Sequence, residues 1–476
     1  MRFGLIFAIN ARMLICCGML MIIPALIDFF SQHDMANAFT LSSAFTISVG
    51  ALLYFLTPKE QDSLYPKEMF LTTTLMWLLY ALFAAIPFYL PPHPVSFTNA
   101  FFESVSGLTT TGATIFSNID SLSAGTLFWR SMTQWFGGIG IIVVALVVLP
   151  ALRIGGMQLF ATESVILSER ISPTVRKSVR DILSYFILLT VMCGGCLWWA
   201  GMSPFDAMNH AMTTMATGGF STHDASIAYY HSSSIEWILI VFMFLAGLPL
   251  VMGPHLFHKQ FSSIRSNVQI MTFIKGVIIA VVILGFVYGW HNFRTILFQV
   301  ISVMTTTGFV TSDYNVWGPV AVSVFMILLI CGGCTGSTSG GVKMFRFAVV
   351  ARVLVQRMKS LVQPHAVFVA RYGDKVIDTD IVDGVLFFCG MFCMTVVSSV
   401  ILLSALNLDY ITALSGTLTC VGNVGPALGN VIGPIQNFES LPDAAKWIMS
   451  ADMLLGRLEF TSIVVLFLPF LWRRNV

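Results

Sequence analysis

Apolar residues in this chain come in long unbroken runs, not in the alternation of a half-buried strand or the one-sided stripe of a soluble helix. Ten runs approach or exceed the ~20 residues that a helix needs to cross a bilayer: 13–30, 39–56, 69–90, 129–152, 182–199, 235–257, 270–288, 320–355, 381–406 and 447–472. Four shorter apolar segments lie among them, and each runs into a hydroxyl- or glycine-bearing stretch closed by Gly. These stretches are Thr109-Thr110-Thr111-Gly112-Ala113, Ala216-Thr217-Gly218-Gly219-Phe220, Thr305-Thr306-Thr307-Gly308-Phe309 and Thr419-Cys420-Val421-Gly422-Asn423.

Counting back thirteen residues from Gly112, Gly219, Gly308 and Gly422 reaches Asn99, Asp206, Thr295 and Asp409. All four are side chains that can cap a helix N-terminus. The same count from Gly218 reaches Phe205, which cannot, so Gly219 marks the register of the second copy. The spacing predicts four half-membrane helices of roughly 18 Å at 1.5 Å per residue. Their C-terminal ends point into the bilayer, where the negative end of the helix dipole favours a cation.

The predicted fold is an all-α membrane protein of about ten transmembrane helices plus four re-entrant pore half-helices. Four pseudo-symmetric helix, pore loop, helix repeats surround one central pore. The division is 1–66 for an N-terminal two-helix extension, 67–155 for repeat 1, 156–260 for repeat 2, 261–360 for repeat 3 and 361–476 for repeat 4.

Composition agrees with a membrane setting: mean hydropathy is +0.83, and only 10% of residues are charged. A net charge of +2, without one basic patch, gives no footprint for nucleic acid. One Arg and an apolar segment follow Met1 with no small-residue cleavage site, so the first helix reads as retained. Of the 25 Lys and Arg, all but Arg130, Arg294, Lys446 and Arg457 fall on one face of this topology. The positive-inside rule then makes both termini cytoplasmic. The opposite face carries Asp120, Asp224, Asp313 and Glu439, each after one of the Gly-closed stretches. As a set they would concentrate cations at a mouth; singly, each could equally solvate a loop. Two of the nine-cysteine set's pairs read Cys-Gly-Gly-Cys, Cys193/Cys196 and Cys331/Cys334. Small-residue helix packing is the reading preferred over redox or metal chemistry, because no His or charged residue accompanies them.

A cation crossing a membrane exchanges its hydration shell for protein oxygens, and rings of backbone carbonyls do this without a fixed charge. Aiming successive carbonyls one way needs unusual dihedrals, hence Gly. Non-helical backbone at membrane depth must be buried in protein or line a watery cavity, so four such stretches imply a shared one. The stretch 332–341, with Gly332, Gly333, Gly336, Gly340 and Gly341, interrupts the third-repeat span, since each Gly costs a helix about 1 kcal/mol relative to Ala. It reads as an obstruction below the ring, with a packing kink as the alternative. Arg457 sits in the last span, where an Arg costs at least ~2.5 kcal/mol on insertion scales and must find oxygen acceptors. The carbonyls of 332–341 are the expected partners; Asp452 is a weaker candidate, and Glu459 lies two residues away on the wrong face. Glu103, in the first half-helix, is expected to brace the ring backbone from behind.

Four copies of this unit, with Glu103-Ser104-Val105-Ser106-Gly107-Leu108 leading into the first Thr-Thr-Thr-Gly, resemble the TrkH/KtrB superfamily of potassium transporters. The stretches 216–222 and 420–426 are similar to that family's second and fourth repeats, and the two extra N-terminal spans resemble its TrkH/TrkG branch. The resemblance implies a selectivity filter at Gly112, Gly219, Gly308 and Gly422. Potassium would be held by carbonyls of Thr110, Thr111, Thr217, Gly218, Thr306, Thr307, Cys420 and Val421. A second Gly beyond the filter occurs only as Gly425. It further implies an intramembrane gating loop at 332–341, with Arg457 close to the pore. The implied activity is gated, channel-like potassium uptake across the bacterial inner membrane, by a homodimer docked on a cytosolic TrkA-like nucleotide-binding regulator. Potassium is then the sole metal, and no cofactor is expected. The basic stretches 170–180 and 352–375 are contact surfaces for the regulator in this reading. A proton- or sodium-coupled symporter is the first alternative. A polytopic membrane enzyme is the second, disfavoured because it would want His, Asp or Glu clustered at catalytic spacing and the nine His are scattered. No GxxxxGK[ST] occurs, so no nucleotide site is read in this chain.

Overall fold

In hydrocarbon every backbone N–H and C=O must be satisfied within its own segment, so the long apolar runs can only be helices. The computed structural model describes residues 1–57, 65–92, 94–143, 175–253, 267–373 and 375–472. Within them, all ten predicted spans carry helix. Among the described residues six helices are long and apolar enough to cross a membrane: Phe3–Phe30, Met35–Leu56, Lys67–Tyr89, Val179–Trp199, Val268–Tyr288 and Thr379–Ala405. Their outer faces present Phe55, Trp199, Phe286 and Ile401 to the surroundings, whereas the interior holds Thr, Ser, Asn and Gln side chains. This distribution matches lipid as the solvent, and the protein is a membrane protein.

The second helix of the later repeats is shorter than the apolar run that encodes it. Ser233–Ala246, Pro319–Ile330 and Asp443–Arg457 have 14, 12 and 15 residues. The run 447–472, expected as one span, breaks after Arg457, where Glu459 and Phe460 take φ of +56° and +52°. These helices stop where they meet the half-helices. A Cβ on Gly456 would lie 2.0 Å from the Val421 oxygen, and one on Gly247 2.9 Å from Thr305 Cγ2, so glycine is what lets the backbones approach. The far ends of the runs 129–152 and 235–257 lie outside the described residues, as do Lys59, Arg153, Arg170, Lys259, Arg265, Arg473 and Arg474.

The four half-helices are Phe97–Leu108, Pro204–Met215, Phe293–Met304 and Tyr410–Gly422. Their starts correct the counting argument. Ser96 and Ser203 are the caps of the first two, accepting from Asn99 N at 3.2 Å and Asp206 N at 3.0 Å. Asn292 precedes the third without a side-chain cap bond. Asn99, Asp206 and Thr295 therefore lie one turn inside. Only Asp409 is a cap as expected, accepting from Thr412 N at 3.1 Å. The second start is set by Ser203 with Pro204 at the first helical position, where the missing N–H has no partner to lose.

Packing closes these units into a ring. One apolar cluster runs from repeat 2 through repeat 3 into repeat 4, including Phe298, Phe309, Leu418 and Val424. A second joins repeat 1 to repeat 4 through Phe102, Phe438 and Met449. The N-terminal pair packs Phe39 edge-on against Trp129 of repeat 1. Buried Asp28 fastens it by accepting from Gly125 N at 2.7 Å and Ser123 Oγ at 2.9 Å. All nine cysteines are free. Cys193 lies in the helix Val175–Trp199, whereas Cys331 and Cys334 begin an irregular loop and not a helix contact.

Because the cap of the second half-helix is Ser203, Ser203→Ala should lower stability by about 1 kcal/mol and Thr295→Ala by less than about 0.5 kcal/mol. Thermal unfolding in detergent, followed by helical circular dichroism, compares the two; equal losses would contradict this assignment of helix starts.

Candidate functional site

Each half-helix ends the same way. Just past the helix, Thr110, Thr217, Thr306 or Asn423 has a left-handed φ of 53°, 52°, 59° or 53°. Its N–H reaches three residues back, to Gly107, Thr214, Val303 or Cys420 oxygen, at 3.0 to 3.2 Å. The next N–H, of Thr111, Gly218, Thr307 or Val424, reaches five back, to Ser106, Thr213, Ser302 or Thr419 oxygen, at 2.9 Å. This doubly bonded reversal satisfies carbonyls that a helix end leaves free and turns the chain sharply away.

One residue further on stand Gly112, Gly219, Gly308 and Gly425, with φ of +83°, +74°, +81° and +104°. A Cβ on each would strike the next loop in order. From Gly112 it would lie 2.0 Å from the Gly218 oxygen, from Gly219 1.9 Å from that of Thr307, and from Gly308 2.2 Å from that of Val424. From Gly425 it would lie 2.5 Å from that of Thr111. The four loops thus meet edge to edge as a closed ring.

The fourth member of this ring is Gly425, which corrects the register read from the sequence by three residues. Cys420, Val421 and Gly422 belong to the last turn of the half-helix. The segment matching Thr110-Thr111-Gly112 is Asn423-Val424-Gly425. Counting back sixteen from Gly112, Gly219, Gly308 and Gly425 reaches Ser96, Ser203, Asn292 and Asp409, the four observed starts. The Thr-Gly wording hid this because the left-handed position carries Asn in the fourth copy.

Side chains hold the ring from behind. Nine residues before the four glycines stand Glu103, His210, Gln299 and Gly416. Glu103 accepts from Ile115 N at 2.9 Å and Thr114 Oγ1 at 3.1 Å, as the sequence suggested. It also pairs at 2.8 Å with Arg130, both fully buried. Arg130 donates on to the Ser221 oxygen at 3.1 Å and lies over the Phe220 ring at 4.2 Å. His210 Nε2 is 3.0 Å from Ser221 Oγ, and Gln299 Nε2 donates to Thr311 Oγ1 and the Ser312 oxygen at 3.2 Å. At Gly416 the place is taken by Met449 and Ile432. Arg130, Gln134 and Asn423 were not singled out as site residues from the sequence. Arg130 could have been flagged as a lone charge in an apolar run.

Above the ring opens a cavity of about 180 Å³ whose lining includes all four ring glycines, Arg130, His223 and Asp224. The four acids expected on this face do not act alike. Asp224 lines it and accepts from Ile119 N at 2.8 Å. Asp120 lies 2.5 Å from His223 Nδ1. Burial alone would raise the Asp120 carboxyl, but hydrogen bonds from the His223 ring and the Asp224 N–H outweigh it and hold it below the usual range. Asp313 accepts from Asn315 N at 2.9 Å and caps its own short turn. Glu439 is bonded to Ser117.

On the far side of the ring the loop 331–343 presses against it. Gly340 N donates to Thr306 Oγ1 at 2.8 Å, Thr217 Oγ1 to Thr338 Oγ1 at 3.3 Å, and Thr338 Oγ1 to the Met215 oxygen at 2.9 Å. Gly333 and Gly336 lie within the loop, and Gly332, Gly336 and Gly341 have φ of +156°, +83° and +73°. A Cβ on Gly340 would lie 2.3 Å from the Gly422 oxygen. Arg457 Nη1 donates to the Thr338 oxygen at 2.9 Å, which is the loop carbonyl contact the sequence suggested. Asp452 bonds instead to Ser399, and Glu459 pairs with Arg346 at 2.5 Å. Lys343 at the end of this loop and Arg346 in the first turn of the helix that follows, both assigned from the sequence to the cytoplasmic face, are buried.

The profile of the TrkH family, described as a cation transport protein, matches residues 35–270 and 287–474. The Trk system potassium uptake protein TrkI of Halomonas elongata is 40% identical, over 99% of this chain and 98% of that protein. For the Trk system potassium uptake protein TrkH of Escherichia coli K12 the identity is 36%, over 99% and 100%. The crystal structure of the potassium transporter TrkH from Vibrio parahaemolyticus has the same fold, with a TM-score of 0.90 at 30% identity, covering 99% of this chain and 100% of that one. Matched from end to end in sequence and architecture, with four half-helices converging on one ring, the chain belongs to the TrkH family of cation transport proteins.

Proposed function

We propose that this chain takes up potassium across the bacterial inner membrane, passing it through the ring of Gly112, Gly219, Gly308 and Gly425. The observation that carries this is the ring itself: four half-helix C-termini converge where their negative dipole ends favour a cation. The carbonyls of Thr110, Thr111, Thr217, Gly218, Thr306, Thr307, Asn423 and Val424 supply the ligand oxygens. Relatives named as potassium uptake proteins support the choice of ion. Both termini are cytoplasmic in this reading, and the cavity above the ring faces outward. The membrane potential supplies roughly 2.3 kcal/mol per charge per 100 mV, enough for channel-like flux.

The loop 331–343 is the gate, held shut by Thr306, Thr217 and Arg457. Opening is the task of a cytosolic TrkA-like nucleotide-binding subunit acting on a homodimer. That reading draws on the relatives' description as parts of a Trk system and on the basic helix Met344–Val362, whose Arg352, Arg357 and Lys359 continue directly from the loop. Coupled symport has one observation in its favour. Asp452, buried in the inner helix of repeat 4, keeps Oδ2 without a partner. An intramembrane carboxyl of that kind can carry a proton.

Rubidium uptake into liposomes containing the purified protein decides between these. Gradient-independent uptake that follows the imposed voltage is expected. Uptake that requires a proton gradient, and loses the requirement in Asp452→Asn, would establish symport instead. Gly308→Ser and Gly425→Ser should each cut the rubidium to sodium uptake ratio at least about tenfold, a change of about 1.4 kcal/mol in discrimination. Unaltered ratios in well-assembled protein would remove the filter assignment. Arg457→Ala, which frees the Thr338 oxygen, should raise basal uptake several-fold; a rate equal to wild type would mean that this contact does not hold the gate.

A further inference from the structure

The second ring loop differs from the others at one atom-level detail. Where the first, third and fourth carry Thr111, Thr307 and Val424, it carries Gly218. Gly218 is not among the residues of positive φ, so its backbone does not call for glycine. Its missing side chain is replaced from another element. Gln134, on the helix Ala124–Val143 of repeat 1 and fully buried, fills the space: a Cβ on Gly218 would lie 2.4 Å from Gln134 Cδ. The Gln134 amide spans the loop, Nε2 donating to the Gly218 oxygen at 2.7 Å and Oε1 accepting from Phe220 N at 3.1 Å.

The oxygen it grips is the one against which Gly112 packs. Gln134 therefore fastens the joint between the first and second loops. Among the described residues, the corresponding oxygens of Thr111, Thr307 and Val424 accept no hydrogen bond. A carbonyl that already accepts a strong bond presents a weaker field to a cation on its remaining lone pair. Selectivity in such rings depends on the number and field strength of the coordinating dipoles. A weaker oxygen favours the larger, less tightly hydrated alkali ion over the smaller one.

We infer that Gln134 is a positioning residue that sets discrimination between alkali cations, by clamping the Gly218 carbonyl and lowering its strength as a ligand. The inference rests on the filter reading given above. Replacing Gln134 by Leu keeps the volume but removes both bonds. The Gly218 oxygen then regains its full field and the loop its freedom, both of which help sodium.

The test is the rubidium to sodium uptake ratio of Gln134→Leu in liposomes, beside wild type and Gly308→Ser. Gln134→Leu is expected to lower the ratio at least threefold while total uptake stays measurable. A purely structural role would reduce uptake of both ions together and leave the ratio at the wild-type value, which would overturn the inference. If Gln134→Leu fails to assemble, Gln134→Met, flexible enough to fill the same space without donating, decides by the same ratio. Should Gly308→Ser keep the wild-type ratio, it is the filter reading that fails; should it lose selectivity while the Gln134 variants keep theirs, only this inference does.

Discussion

Irregular backbone can exist at membrane depth only if its polar groups are satisfied by protein, and this requirement governs the whole molecule. Four chain reversals stand in the middle of the fold, each freeing helix-end carbonyls and loop amides in surroundings where an unmet hydrogen bond costs several kcal/mol. The doubly bonded turn at the end of each half-helix meets the first part of that demand. Side chains meet the rest: Glu103 for Ile115, Gln134 for Phe220, Ser302 for the Phe309 oxygen and Thr419 for the Pro426 oxygen. Among the described residues, the ring carbonyls of Thr111, Thr307 and Val424 are left without a hydrogen bond.

The same requirement explains the buried charges. Arg130 inside a transmembrane run would be prohibitive alone, but it meets Glu103, the Ser221 oxygen and the face of Phe220. Removing either member of such a pair leaves an uncompensated charge, so the two are a unit. Below the ring, Arg457 with Thr338 ties the broken inner helix of repeat 4 to the loop 331–343, and Glu459 with Arg346 ties it to the helix Met344–Val362 that follows. The loop 331–343 is thereby mechanically joined to the helices that frame it.

Pseudo-symmetry is close in backbone and loose in side chains. The turn geometry repeats four times, yet the left-handed position holds Thr three times and Asn once, and the bracing position holds Glu, His, Gln and Gly. Backbone geometry is set by packing of one loop's glycine on the next loop's oxygen, a contact that tolerates no Cβ. Bracing needs only some group that fills the space and pairs the polar atoms, and Met449 with Ile432 can fill it where Gly416 leaves room.

Hydropathy alone determined the helical membrane fold, because lipid leaves a long apolar run no other way to satisfy its backbone. Three of the four ring glycines, Glu103 as a brace, the interrupting loop and its bond to Arg457 were also legible, since Thr-Gly runs and lone charges stand out against an apolar background. Tertiary structure decided what depends on a neighbour. That Gly425 and not Gly422 completes the ring follows from which glycine lies against the Thr111 oxygen. That Ser96 and Ser203, not Asn99 and Asp206, start their helices follows from which side chain reaches an amide. The breaks in the inner helices, and the burial of Lys343 and Arg346, likewise come from contacts between residues far apart in the chain, which no local pattern of residues encodes.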